Sequence, residues 1–492
     1  MSELATLIAE AGLQGHRIVA DSRVVMPGDV FLAQRGLSVD GHEFIAAAVA
    51  RGAAAIIAEA APDGLGVPVF IAPTGDAGVV AAMLDAHYGQ PSRRLAITGV
   101  TGTNGKTSVT QWIAAALSAD GEPCAVIGTL GVAFAGEHRS TSNTTPDLVT
   151  TYSALAELAG RGARSVAMEV SSHALDQRRV EGIGFSETVF TNLTPDHLDY
   201  HGTMEAYGRA KARLFEDYAA RTRIVNIDDP FGERLTQTSP GPWLTYGFGR
   251  GDLRAEAIEQ HPSGQRFRLI GLDTPAVIET PVAGRFNIYN LLAVAAVLAA
   301  RGRSAVDIAR LLSALAPVRG RMQRVTPAGV PGPAALPRVY VDYAHTPDAL
   351  DKALVTLAEQ TTGRLWVVFG CGGNRDRSKR PLMGRIAATR AGQVVVTSDN
   401  PRFESPEAII ADIVAGVDHA DRSRLHIEPD RAAAIAQAIA QADPEDVVLI
   451  AGKGHETYQE SAGERRHFDD AEEAQAALTA RLRCVQAGAV RV

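Results

Sequence analysis

The segment that most constrains this chain is a short apolar run broken by glycines and followed at once by a helix. Leu95-Ala96-Ile97-Thr98 reads as a strand, and Gly99-Val100-Thr101-Gly102-Thr103-Asn104-Gly105-Lys106-Thr107 follows it. Val109, Trp112, Ile113, Ala116 and Leu117 then recur at helical spacing, with a stop expected near Gly121. Strand, glycine-rich turn and helix in that order describe a phosphate-binding loop. Glycines let backbone amides approach phosphate oxygens, and the helix N-terminus adds partial positive charge. Lys106 is placed to reach the terminal phosphates and Thr107 to help hold Mg²⁺. The strict pattern asks for glycine five residues before Gly105, where this chain has Val100.

The rest of the chain repeats the strand–helix alternation. Arg17–Ala20, Asp29–Ala33 and Ala54–Ala58 are strand candidates in a first segment, and Pro91-Ser92 reads as a linker. Ser165–Val170 and Thr188–Phe190 continue the second segment, which runs out near Pro317–Arg321. A Pro/Gly-rich connector, 326–337, precedes strand candidates Val339–Asp342, Leu365–Phe369, Val394–Thr397 and Val447–Ile450, separated by alanine-rich helical stretches such as Arg431–Ala442. Such alternation predicts an α/β fold with parallel sheets covered on both faces and ligands at the carboxyl ends of the strands. Length supports about three domains, drawn here as 1–92, 93–325 and 326–492.

Composition narrows the function class. Hydrophobic residues make up 46% and charged residues 21%, an ordinary globular balance. A net charge of -8 argues against a nucleic-acid coat or an anionic-membrane binder. The three cysteines, Cys124, Cys371 and Cys484, form no CxxC pair. Met1-Ser2-Glu3-Leu4 lacks a basic segment leading into an apolar one, and no apolar run approaches a membrane span. The protein is read as soluble and cytoplasmic, with no nucleic acid or membrane partner expected.

Polar clusters sit directly after the strand candidates. They are Asn143-Thr144-Thr145-Pro146, Met168-Glu169-Val170-Ser171-Ser172-His173, and Thr191 to Gly202, which contains Asp196 and His197. Glu169 ends an apolar run, where a carboxylate can hold Mg²⁺ opposite the phosphate loop. Lys211, within Tyr207–Phe215, reads by itself as a solvated lysine on a helix. Asn287 reads as a loop asparagine, Asp342 and His345 as strand-end caps, Arg178 and Arg179 as a solvated pair, and Asp399-Asn400-Pro401-Arg402 as a turn.

Taken together these segments resemble the Mur ligase family, which shares its fold with folylpolyglutamate synthases. The resemblance also covers Gly284–Asn290, Gly320–Gln323, Asp342–Asp348, Gly370–Asp376 with Lys379-Arg380-Pro381, and Gly452–Glu456. Its own loop is Gly-Thr-Asn-Gly-Lys-Thr, which accommodates Val100. The resemblance implies three domains: a small N-terminal UDP-binding α/β domain, a central P-loop ATPase-type domain with a parallel sheet, and a C-terminal Rossmann-like domain. It implies a carboxylate–amine ligase that uses ATP and Mg²⁺ and works through an acyl phosphate. It assigns Gly102, Thr103, Asn104, Gly105, Lys106, Thr107, Ser108, Asn287, Asn290, Arg321, Asp342 and His345 to the nucleotide. Lys106, Glu169, His197, Lys211 and Arg321 are its implied catalytic residues, and Thr107, Glu169, His197 and Lys211 its implied metal contacts. It also reverses the plain reading of Lys211, which it makes a carbamylated N6-carboxylysine.

Within the family, Ser22, His42, Asn143, Thr144, Thr145, Ser171, Gln177 and Arg179 are similar to contacts for a UDP-muramoyl peptide. Asp399-Asn400-Pro401-Arg402 resembles the motif of members that take meso-diaminopimelate, with Arg375, Gly452 and Glu456 completing the pocket. A guanidinium grips the distal carboxylate that lysine lacks. Two alternatives stay open: a lysine-adding ligase or folylpolyglutamate synthase of the same fold, and a P-loop NTPase that uses hydrolysis for switching. A non-catalytic nucleotide sensor is disfavoured by the intact Lys106, Thr107 and Glu169.

Overall fold

The computed structural model describes residues 3–36, 39–60, 63–239, 241–261, 264–327 and 335–489. Met1, Ser2 and most of the expected connector, including Pro331 and Pro333, lie outside them. The chain divides into two compact units. One comprises Met1–Asn192, Gly208–Tyr246 and Ala296–Gly302; the other comprises Leu193–Tyr207, Gly247–Ala295 and Arg303–Val492.

The first unit holds two sheets. Strands Ile18–Val19, Val30–Leu32, Ala55–Ala58 and Val69–Ile71 form a small parallel sheet in chain order. Three of them coincide with the expected runs. Val69–Ile71 was not anticipated, because its three residues carry too little pattern to stand out. Pro91-Ser92, read as a linker, begins the helical turn Pro91–Arg94. Proline at the first helical position loses no hydrogen bond there, and Gln90 supplies the left-handed residue that starts the turn.

The larger sheet of this unit is parallel through six strands. Their spatial order is Trp243–Gly247, Ala220–Asn226, Phe185–Phe190, Ala96–Thr101, Ser165–Glu169 and Cys124–Gly128. Gly131–Phe134 and Glu137–Arg139 continue it antiparallel. The helix Lys106–Ala119 buries Val109, Trp112, Ile113, Ala116 and Leu117, the stripe its sequence spacing predicted. Gly121, in the left-handed region, follows its end. The buried Arg301 guanidinium ties neighbouring strands together, pairing with Glu187 at 2.9 Å and Glu122 at 2.6 Å and donating to Thr98 at 3.0 Å.

The second unit contains a six-stranded sheet in the order Gln323–Val325, Arg338–Asp342, Val447–Ala451, Leu365–Phe369, Gln393–Val396 and Leu425–Ile427. All neighbours are parallel except the first pair. Alternate residues of the same strands face opposite layers. Val367, Phe369, Leu449 and Ala451 pack with Leu350, Leu354, Met383 and Ile413. Val368, Trp366, Val448 and Ile450 pack with Ile435, Ile439, Ala474 and Leu478. Covering on both faces is the expected consequence of strands that are apolar at every position. Three antiparallel strands, Leu253–His261, Gly264–Ile270 and Ala276–Thr280, also belong to this unit. Their mixed, half-exposed pattern gave no strong sequence signal.

Arg431 and Asp470 are both fully buried and pair at 2.7 Å, with a second guanidinium nitrogen donating to the Ala451 carbonyl at 2.9 Å. A buried charge whose partner is removed loses about 3–5 kcal/mol of stability. Asp470→Asn is expected to lower unfolding stability by that amount in a denaturant titration.

Candidate active site

In the first unit the phosphate loop is fixed by its neighbours. Gly102 and Gly105 have φ of +148° and +89°. A Cβ on Gly102 would lie 1.9 Å from the Thr191 hydroxyl, so no larger residue fits. Thr191 Oγ1 donates to the Asn104 carbonyl at 2.6 Å, and Asn192 bonds the Asn104 amide and the Thr103 amide through its side-chain and backbone oxygens at 3.0 and 2.8 Å. Val100 is an ordinary buried strand residue, registered against Glu169. The missing glycine of the strict pattern therefore falls in the strand, before the turn begins.

Lys106 donates to the carbonyls of Gly102 and Thr103, each at 2.8 Å. Lys211 donates to the same Gly102 carbonyl at 2.8 Å and is 1% exposed. The plain reading of Lys211 as a solvated lysine is thus overturned: its helix, Met204–Glu216, presents it to the loop. Ser108 and Thr107 are buried in the first turn of the loop helix.

Glu169 is the last residue of its strand and is buried. Thr129 donates to it twice, from the backbone at 2.8 Å and from the hydroxyl at 3.0 Å. The Thr129 hydroxyl also touches that of Thr144 at 3.1 Å. Thr145 donates to the Glu169 carbonyl at 2.8 Å and accepts from the Ser171 amide at 3.0 Å. Arg179 donates to the Thr145 carbonyl at 3.0 Å and grips the Gln177 carbonyl oxygen with two nitrogens, at 3.0 and 2.6 Å. Thr144, Thr145, Ser171, Gln177 and Arg179 are thereby joined to Glu169 in one polar surface, with Asn143 adjoining in sequence. Ser22 and His42 belong to the small sheet's turns. There Glu59 N–H donates to His42 Nε2 at 3.2 Å, leaving Nδ1 to donate to Asp40 at 2.6 Å.

The remaining nucleotide residues stand in the second unit. Asn290 donates to Asn287, which donates to the Ala283 carbonyl, at 2.9 and 2.7 Å. Arg321 lies over the Tyr343 ring, 4.3 Å from its centroid. Asp342 accepts from the Met322 amide at 2.6 Å, and burial pushes its carboxyl upward against the pull of Arg321. His345 Nδ1 donates to the Tyr343 carbonyl at 2.8 Å, and burial with nearby Lys379 lowers it to about 4. His197 sits at φ +54° with Asp196 3.4 Å from its Nε2. Among the described residues no group of three or more His, Cys, Asp or Glu side chains forms a ready cation cage. Mg²⁺ bound chiefly through phosphates and water requires few protein oxygens. The Glu169 carboxylate and Thr107 hydroxyl are donors of that kind.

The third cluster also lies in the second unit, after strands Gln393–Val396 and Val447–Ala451. Asn400 donates to Glu456 at 2.8 Å; Lys453 donates to Asn400 and Glu456, each at 3.0 Å. A Cβ on Gly452 would stand 2.6 Å from the Asp399 carboxylate, and one on Gly373 would stand 1.9 Å from the Pro401 carbonyl. Arg402 is left-handed at φ +54° and donates to the Gly373 carbonyl at 2.7 Å. An added Cβ on Gly372 would lie 3.0 Å from Arg402 and 3.8 Å from Arg375, so both arginines flank that glycine. Arg380, fully buried, joins the two loops by pairing with Glu404 and donating to the Gly372 carbonyl. Glu404, held to about 2 by Arg380, accepts in turn from the Asn374 amide. Asp399, Asn400, Gly452 and Glu456 thus lie together, while the Arg402 guanidinium and Arg375 lie at the Gly372-Gly373 turn.

Three family models match in sequence order: a "Mur ligase family, catalytic domain" over 14–79, a "Mur ligase middle domain" over 100–298 and a "Mur ligase, glutamate ligase domain" over 320–454. The chain belongs to the Mur ligase family. It is 48% identical over 96% of both chains to a UDP-N-acetylmuramoyl-L-alanyl-D-glutamate--2,6-diaminopimelate ligase of Chromobacterium violaceum. It is 46% identical, again over 96% of each, to the same-named ligase of Pseudomonas aeruginosa. A solved structure of that name covers 95% of each chain with 37% identity and a TM-score of 0.65. A MurF ligase from Thermotoga maritima in complex with ADP shares the fold at 18% identity and a TM-score of 0.66. As a Mur ligase the chain is an ATP-dependent ligase with the three-domain α/β architecture of that family.

Several Mur ligase residues escaped the sequence reading. Thr129 and Asn192 were never assigned, and Lys453, Arg380 and Glu404 act only through others. Each was an ordinary polar residue until folding set it beside a site residue. No described helix is long and apolar enough to cross a membrane.

His345 and His455 are both pushed down by burial, to about 4 and about 3. The unfolded rings bind protons at higher pH than the folded ones, so stability falls as pH drops below about 6.5. Melting temperature is expected to decline between pH 6.5 and 4, and His345→Gln is expected to flatten that decline.

Proposed function

We propose that the chain joins meso-2,6-diaminopimelate to the D-glutamate carboxylate of UDP-N-acetylmuramoyl-L-alanyl-D-glutamate, using ATP and releasing ADP and phosphate, as a cytoplasmic monomer in peptidoglycan synthesis. In this reading residues 1–92 take the UDP end, 93–325 the ATP and 326–492 the amino acid. The observation that carries it is the Arg402 pocket. The Arg402 guanidinium stands at the Gly372-Gly373 turn, where the Arg375 side chain also lies, and the same Asp399–Arg402 segment carries Asn400, which bonds Glu456. That set offers a cation for one carboxylate and carboxylates for ammonium groups, which is the complement of a molecule with both at each end.

A carboxylate resists attack by an amine until its oxygen becomes a leaving group. Loop amides at Thr103 to Thr107 and the Lys106 ammonium cradle the phosphates of ATP, and Arg321 offsets charge on the γ-phosphoryl group in transfer. Asn287, Asn290, Asp342 and His345 orient the nucleotide. The substrate carboxylate takes the γ-phosphoryl group and ADP departs. The amine of diaminopimelate then attacks the acyl carbon, losing a proton, and phosphate leaves. Arg179, Ser171 and the Thr144-Thr145 pair hold the muramoyl peptide beside Glu169. Thr107, Glu169 and the carbamate of Lys211 would hold Mg²⁺, which would supply charge neutralisation for the transferring phosphoryl.

Two ammonium groups, those of Lys106 and Lys211, donate to one carbonyl, that of Gly102. Like charges so placed favour converting one to its uncharged or anionic form, which supports carbamylation of Lys211. Lys211→Ala is expected to abolish turnover, and a small carboxylic acid is expected to restore part of it; full activity without the acid would remove Lys211 from the mechanism.

The reading is tested by product mass and phosphate release with ATP, Mg²⁺ and the UDP-muramoyl dipeptide, offering meso-diaminopimelate or L-lysine. Product with diaminopimelate should exceed that with lysine by roughly 10⁴-fold, the usual cost of an unpaired polar group in a closed site. Arg402→Ala should erase most of that preference. Equal use of both amino acids would discard the role given to Arg402.

A further inference from the structure

Lys453 is fully buried, yet it touches none of the groups that the reaction changes. Its ammonium has three donors. Two of them meet Asn400 Oδ1 and Glu456 Oε2, each at 3.0 Å, and the nitrogen lies 5.4 Å from the centre of the Tyr458 ring. A buried ammonium persists only where such partners replace its water.

The contacts at Glu456 are lopsided. Oε2 accepts both from Lys453 and from Asn400 Nδ2, at 2.8 Å, whereas Oε1 accepts no hydrogen bond among the described residues. Asn400 has no freedom to turn over. Its Oδ1 takes Lys453 and the Glu460 amide, at 3.0 Å, so its Nδ2 must face Glu456. The same Glu460 accepts the Arg402 amide at 3.0 Å through its carbonyl. One ammonium therefore holds the rotamer of Glu456 and, through Asn400, the segment that carries Arg402.

We propose that Lys453 is a positioning residue for the amino-acid substrate: it ties down Glu456 Oε2 so that Oε1 faces the substrate's distal ammonium as an ionised acceptor. The proposal rests on the reading of Glu456 as that ammonium's contact. The surroundings of Glu456 make a cation necessary. Burial and the neighbouring Asp399 push its carboxyl above the ordinary range, while Lys453 pulls it back. Tyr343, Tyr458 and Arg431 are further titratable or charged groups that feel it. Without Lys453 the carboxyl stays protonated to higher pH and loses its attraction for an ammonium group.

Lys453→Met, Lys453→Gln, Glu456→Gln and the Lys453→Met/Glu456→Gln double variant are compared in the full-length enzyme, with KM for meso-diaminopimelate and for ATP measured across pH. Lys453→Met is expected to raise KM for diaminopimelate by about tenfold or more. Its acid limb is expected to move up by about one pH unit or more, with KM for ATP unchanged. Glu456→Gln should raise KM without an acid limb, and the double variant should match Glu456→Gln alone. Lys453→Gln keeps a donor for Asn400 but no charge, so it should show the pH shift even if the methionine variant folds poorly. If Glu456→Gln raises KM while neither lysine variant moves the acid limb, or if the effects add in the double variant, the role of Lys453 is overturned and that of Glu456 survives. If Glu456→Gln leaves KM unchanged, the ammonium contact itself is wrong.

Discussion

Where strands of both larger sheets end, a neighbouring hydroxyl or carbonyl approaches a glycine so closely that no Cβ fits. Gly102 against Thr191 and Gly373 against Pro401 are the tightest such places in the two clusters. This closeness is what the sites depend on. A turn packed that tightly has its amides and carbonyls at fixed positions, so Lys106 and Lys211 find one carbonyl and Arg402 finds another. Polar side chains gain from burial only when their partners are already in place. The glycines supply that condition without contributing a functional group.

The second unit shows how a fold can hold several cationic side chains out of water. Arg431 answers Asp470, Arg380 answers Glu404 and Asp412, and Lys453 answers Glu456. The arginine pairs join elements distant in sequence, whereas Lys453 and Glu456 are three residues apart in one loop. Such pairs add little net stability compared with apolar packing, but breaking one leaves a charge stranded. Their value here is geometric. They fix the loops around Gly372 and Asn400 so that a flexible diamino acid meets a rigid set of contacts, which reduces the ordering that binding must impose. The neutral state of His345 and His455 follows from the same crowding, since Arg321, Lys379 and Lys453 already supply positive charge there.

Chemical identity and chain order were legible in the sequence. The strand–loop–helix at 95–121 and the apolar strands of 339–451 depend on local pattern, and local pattern is dictated by residue type and period; the grouping of Asp399, Asn400, Arg402, Gly452 and Glu456 came from the family resemblance, since Asp399-Asn400-Pro401-Arg402 alone reads as a turn. The Val100 departure is also local: the residue sits inside its strand, where valine belongs. Other features could not be read there. Lys211 has the neighbours of a surface lysine and becomes buried only because its helix faces the Gly102 turn, more than a hundred residues away in the chain. Thr129 reaches Glu169, Asn192 reaches the phosphate loop, and Lys453 reaches Asn400 across gaps of 40, 88 and 53 residues. The weakly patterned strands between 253 and 280 were missed because half-exposed positions dilute the period-two signal. The sequence by itself determined which functional groups the chain possesses and which strand ends carry them, because propensity and periodicity act over a few residues. Only the tertiary structure decided which of those groups share a hydrogen bond, since burial and contact are properties of segments brought together by packing.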